Sequence, residues 1–149
     1  MLSGKEIMRQ RELGNIVIEP FSPDQINPNS YNMTLGDEIM VYTDAVLDSA
    51  KKHRTKTFKI GPEGYVVTPG QMYLAKTCEH TETHGFVPVL LGRSSTGRVG
   101  LTVHLNSGFG EDGYKGKWLL GLTCTLPVRL FPGMKIAQMW YCPVSEDET

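Results

Sequence analysis

The chain has 149 residues, with 15 basic and 16 acidic side chains and a formal net charge of −1. A balance so close to zero gives no support for a nucleic-acid-binding or membrane-surface protein, no apolar run is long enough to span a bilayer, and residues 1–11 carry no signal-peptide pattern. Three cysteines, Cys78, Cys124 and Cys142, without C-x-x-C spacing, read as reduced thiols of a cytoplasmic protein rather than a disulfide framework.

The length suits one domain, residues 1–149, with a real core, and the 16 glycines and nine prolines between short apolar runs favour a turn-rich β protein. Ser3-Gly4-Lys5-Glu6 forms a capping box, Leu2 and Ile7 are placed as a hydrophobic staple, and Gly14 is available to stop the short helix. Ile16–Ile18 follows as a strand. Asn27–Asn32 is turn-rich and leads into short strands at Met33–Leu35 and Glu38–Tyr42. Ala45–Lys59, with its Lys51-Lys52-His53-Arg54 run, is expected to be a solvated loop.

Tyr65–Thr68, Met72–Lys76 and Phe86–Leu91 read as strands, with Cys78–Gly85 as a polar loop between the last two. Cys78, His80 and His84 lack a fourth ligand and the tight pairing of zinc sites, so no metal is assigned to protein side chains. Farther on, Lys117–Thr123, Val128–Phe131 and Lys135–Tyr141 complete a set of about ten short strands, a closed or sandwich architecture of jelly-roll type.

Most of the chemistry is concentrated between Leu91 and Gly116, LGRSSTGRVGLTVHLNSGFGEDGYKG. Glycines let backbone approach an anion, hydroxyls and N–H groups donate to its oxygens, and arginine grips it in a fork. Arg93, Ser94, Ser95 and Arg98, on an expected tight turn, are the candidate phosphate ligands, with Mg²⁺ held chiefly by the phosphates and water. Arg-Ser-Ser alone also describes a serine-rich turn with exposed arginines. His104 alternates inward along the Val99–Leu105 strand, where a core histidine is the plainer reading.

The ordered motifs GRSSTGRVGL, H-x-N-S-G, E-D-G-Y-x-G and P-V-R-L-F-P-G-M-K-I-A-Q resemble the dCTP deaminase/dUTPase superfamily. LSGKEI, IEPF and NPNSYNMTLGDE resemble its deaminase branch, so the likeness spans nearly the whole chain. It implies a distorted jelly-roll or β-barrel of the dUTPase-like fold with one short N-terminal helix. It also implies a homotrimer with a nucleotide site at each subunit boundary. On this resemblance His104, Leu105, Asn106, Ser107 and Tyr114 hold base and sugar, Gln138 adds a phosphate contact, and Glu111 orients water, with Ser94 and Arg98 beside the reacting phosphate. Gln138 also fits a polar position on an alternating strand, and Tyr114 a half-buried one.

Two departures complicate the resemblance. The deaminase branch carries a glutamate that shuttles protons, and the match W-x-L-E puts Gly121 in its place. Losing an acid–base group costs about 10²- to 10⁴-fold in rate. The family's C-terminal segment that folds over the nucleotide is also missing from the sequence as read, which weakens water exclusion. The leading expectation is therefore dUTPase-like hydrolysis of dUTP or dCTP to the monophosphate and pyrophosphate. The alternatives are dCTP deamination to dUTP, and a catalytically silent protein that binds or sequesters nucleotides.

Overall fold

The computed structural model describes residues 1–104 and 109–146. Ser3 caps helix α1 (Gly4–Glu12) by accepting from the Glu6 amide at 3.1 Å, and the staple residues Leu2 and Ile7 are both buried. Gly14, at φ 83°, ends the helical segment and turns the chain into β1 (Ile16–Glu19). The remaining elements are β2 (Tyr31–Tyr42), β3 (Thr55–Lys59), β4 (Tyr65–Val67), β5 (Tyr73–Thr83), β6 (Phe86–Gly92), α2 (Ser94–Arg98), β7 (Leu101–His104), β8 (Lys115–Cys124), β9 (Val128–Leu130) and β10 (Lys135–Pro143), with a short 3₁₀ turn at Pro23–Gln25.

Eight strands form one antiparallel sheet ordered β6-β10-β2-β5-β8-β7, with β1 added beside β5 and β3 beside β2, while β4 and β9 pair separately. The curled sheet encloses Tyr31, Met33, Leu35, Ile39, Leu120, Leu122, Ile136 and Tyr141, all fully buried. Strand β8 shows why: Trp118, Leu120, Leu122 and Cys124 face inward, whereas Leu119, Gly121 and Thr123 face outward. The fold is mostly β, as the dUTPase-like resemblance implies.

Four local expectations are corrected. Met33–Leu35 and Glu38–Tyr42 belong to one continuous β2, whose pairing with β5 shifts register between Leu35 and Ile39. A Cβ on Gly36 would lie 2.8 Å from the Lys76 carbonyl oxygen, so glycine permits that irregular approach. The C-terminal part of the expected 45–59 loop is β3, paired with Glu38–Tyr42.

The expected loop after Lys76 is strand to Thr83. Its buried face consists of Thr77, Glu79, Thr81 and Thr83, a polar row where sequence reasoning looks for apolar residues. The row is held by hydrogen bonds: Thr77 Oγ1 accepts from the Trp118 amide, Thr81 Oγ1 accepts from Trp118 Nε1, and Glu79 accepts from the Thr34 amide and hydroxyl. Lastly, Ser94–Arg98 is a single helical turn rather than a tight turn, with Thr96 Oγ1 donating to the Arg93 carbonyl at 2.8 Å.

Candidate functional site

Strand β6 ends at Gly92, and the chain turns there into α2. Gln138 on β10 fixes that junction by donating to the Gly92 carbonyl at 3.3 Å while accepting from Ser30 Oγ at 3.1 Å. Arg93 emerges from the junction and donates to the Lys135 carbonyl at 3.4 Å. Together these contacts hold Arg93 in the wall of a cleft of about 650 Å³, whose lining also includes Ser95, Thr96, Val99, Arg129 and Lys135.

The electrostatics of the cleft are one-sided. Arg93, Arg129 and Lys135 reach it from the β6–α2 junction, β9 and the start of β10, and no carboxylate is among its described lining residues. No described ion pair involves any of the three. Cations gathered without counter-charges favour an anionic ligand. A second cavity of about 440 Å³ near the β2 bulge mixes Asp37 and Glu38 with Lys76 and Lys117, which suits no polyanion.

Of the candidate phosphate ligands named from the sequence, Arg93 and Ser95 line this cleft, beside Arg129 and Lys135, which the sequence reading did not name. Lys135 could have been flagged by its place three residues before Gln138, and Arg129 by its charge in the middle of an apolar strand. Ser94 and Arg98 are exposed on α2 and outside the cleft lining. The amide of Gln138 is engaged in positioning the Gly92 junction.

The other candidates lie elsewhere. Asp112 Oδ1 accepts from the Gly85 amide at 2.8 Å, which pins the Glu111–Tyr114 turn beside the beginning of β6. Arg93 follows the opposite end of that seven-residue strand, roughly 20 Å away at about 3.3 Å per residue. One copy of the chain therefore does not bring Glu111 and Tyr114 to the Arg93 cleft. Glu111 is exposed, and Tyr114 packs against Trp118 with ring centroids 4.6 Å apart and the rings tilted by 42°, and donates to the Lys117 carbonyl at 2.6 Å. Partial burial raises the Tyr114 phenol pKa.

His104 corrects a further expectation. It points outward, because Leu101 and Val103 take the inward positions of β7. Its Nε2 lies 2.8 Å from Thr123 Oγ1, and it stands opposite Gly121 in the β7–β8 ladder. Leu105, Asn106 and Ser107 fall outside the described residues. A Cβ at Gly121 would meet His104 Cβ and Met72 Sδ at 3.4 Å, ordinary contact distances, so the glycine is not required by space.

A family model described as dCTP deaminase-like matches residues 1–144. The chain belongs to the dCTP deaminase-like family. It is 49% identical over 148 residues to a dCTP deaminase of Rhodopirellula baltica, covering 99% of this chain and 74% of that protein. It is 48% identical over 148 residues to a dUMP-forming dCTP deaminase of Clostridium acetobutylicum, covering 99% of this chain and 84% of that protein.

Solved structures support the family's fold. The dCTP deaminase of Agrobacterium tumefaciens superposes with a TM-score of 0.75 at 18% identity, over 94% of this chain, which spans only 47% of that one. A dUTPase of Staphylococcus bacteriophage 80alpha, solved with dUPNHPP, gives a TM-score of 0.55 at 14% identity, over 90% of this chain and 85% of that one. Within this dCTP deaminase-like chain the two halves of the resemblance thus meet: a deaminase-like sequence on a barrel shared with dUTPases.

Proposed function

We propose that the protein binds dCTP with its phosphates in the Arg93–Arg129–Lys135 cleft and acts in pyrimidine deoxynucleotide metabolism. The observation that carries this reading is the convergence of three cations and the Ser95 hydroxyl on a cleft whose described lining has no carboxylate. The names of the relatives favour the deaminase alternative over plain dUTPase-like hydrolysis, since both curated relatives above are dCTP deaminases and one is dUMP-forming. In that chemistry one water attacks the cytosine ring and ammonia leaves, and a second water breaks the bond between the first and second phosphates, leaving a monophosphate and pyrophosphate.

Arg93 and Lys135 neutralise the phosphates, and Ser95 donates to their oxygens. Mg²⁺ fits this site as a companion of the nucleotide: with no lining carboxylate to hold it, phosphates and water would be its ligands, and it would offset charge on the phosphate chain. Glu111 and Tyr114, some 20 Å from Arg93 along β6, would reach a bound nucleotide only from a neighbouring copy, which supports a site shared between subunits of a homotrimer.

A second reading is favoured by Gly121: binding, or hydrolysis, without deamination. The strand position that resembles the family's proton-carrying glutamate has no side chain, and its cross-strand neighbour is His104. Incubation with dCTP or dUTP and Mg²⁺, with products resolved by chromatography, separates the readings. Ammonia and dUMP from dCTP support the deaminase; pyrophosphate without ammonia supports a hydrolase; tight binding without products supports a silent binder. Undiminished nucleotide binding by Arg93→Ala in calorimetry would remove the phosphate assignment altogether.

A further inference from the structure

We infer that Arg129 sets the phosphate-chain length this cleft accepts, retaining nucleoside triphosphates and releasing monophosphates. The inference rests on the nucleotide reading above and assigns a specificity role to a residue outside the Gly-Arg-Ser-Ser motif. The Arg93 guanidinium donates to the Lys135 backbone carbonyl, so the two residues enter the cleft side by side, from the β6–α2 junction and the start of β10. A terminal phosphate carries about −1.5 to −2 charges at neutral pH, which two cations match. A third cation finds a counterpart only in a longer chain of phosphates.

Arg129 is that third cation, and it arrives from separate scaffolding. It sits on β9, which pairs with β4 outside the eight-stranded sheet. Its Nη1 donates to the Glu63 carbonyl at 3.1 Å, which restrains the guanidinium, and no described carboxylate pairs with it. A fork held by one backbone bond keeps its remaining N–H donors for phosphate oxygens, a geometry that lysine does not reproduce.

The test is calorimetric binding of dCTP, dCMP, inorganic tripolyphosphate and inorganic phosphate to wild type, Arg129→Gln and Arg129→Lys. Loss of charge-assisted hydrogen bonds predicts that Arg129→Gln weakens dCTP and tripolyphosphate about tenfold or more, and dCMP by less than about twofold. Arg129→Lys should fall between, which keeps the test open if the glutamine variant melts early. Equal weakening of dCTP and dCMP, or none, overturns the inference while wild-type dCTP binding keeps the nucleotide reading. Wild type that binds neither dCTP nor tripolyphosphate overturns both.

Discussion

Gly121 and His104 face each other across the β7–β8 ladder on the outer surface of the sheet, and Leu74 of β5 is Gly121's partner on the other side. An outward glycine in a central strand contributes no packing and costs backbone entropy. Since a Cβ there makes only ordinary contacts, Gly121→Glu should fold with a melting temperature equal to or above that of wild type. The new carboxylate would also stand beside His104, an attractive cross-strand pair. If the site survives, this variant raises dCTP deamination by about 10²-fold or more. Ammonia release from dCTP measures the effect. A folded variant with no gain would place the divergence deeper than one missing proton carrier.

Much of this fold was legible because local chemistry and global packing agree. Ser3 caps α1, the alternation of Trp118, Leu120 and Leu122 is read directly as a strand, and Gly14 stops a helix. The second half of β5 was not legible, since Thr77, Glu79, Thr81 and Thr83 are polar yet inward, and only Thr34 and Trp118, far away in sequence, make that burial tolerable. The site divides the same way. Arg93 and Ser95 announce themselves in one motif, whereas Arg129 and Lys135 join them only through the meeting of β9 and β10 with the β6–α2 junction. His104 was misread because the parity of a four-residue strand depends on its register against β8.

Glu79 is 1% exposed, and its carboxylate accepts from the Thr34 amide and hydroxyl. Burial raises its pKa, an effect the Thr34 hydrogen bonds and the charge of Lys117 only partly oppose. The folded state therefore binds this proton more tightly than the unfolded chain does. Stability is greatest below the unfolded pKa and falls as pH rises through the folded one. Glu79→Gln removes the charge while its amide can still accept from the Thr34 amide and donate to its hydroxyl. It should melt above wild type at pH 8, by about 2–4 °C for each kcal/mol gained. The gap should close near pH 4. Thermal melts across that range check the sign, and a variant less stable at pH 8 would reverse it.

His53 ties down the segment between β2 and β3. Nδ1 lies 2.7 Å from Asp44 Oδ2, while Nε2 lies 2.8 Å from the Asp48 amide and 2.9 Å from its carbonyl oxygen. Neutral imidazole accepts from that amide, and imidazolium donates to that carbonyl. The Asp44 bond, then the Asp48 backbone, raise the His53 pKa. The extra stabilisation is present below the unfolded pKa near 6.5 and is lost as pH rises through the folded value. His53→Ala should speed amide exchange at Ala50, whose N–H donates to Asp48 Oδ1 rather than to the imidazole, more at pH 6 than at pH 8, after correction for intrinsic rates. A larger effect at pH 8 would contradict the assignment.

Tyr141 offers a stability test far from the cleft. Its ring is fully buried on β10, and its hydroxyl has no hydrogen-bond partner among the described residues. Burial and the neighbouring Tyr31 phenol push its pKa upward. A buried hydroxyl without a partner costs about 1–3 kcal/mol of desolvation, whereas the aromatic ring supplies the packing. Tyr141→Phe deletes the oxygen and keeps the ring, so it should raise the unfolding free energy by about 1 kcal/mol and leave dCTP affinity unchanged. Urea unfolding monitored by tryptophan fluorescence, with an unchanged m-value, gives that number. A loss of stability would mean that the hydroxyl is satisfied in solution.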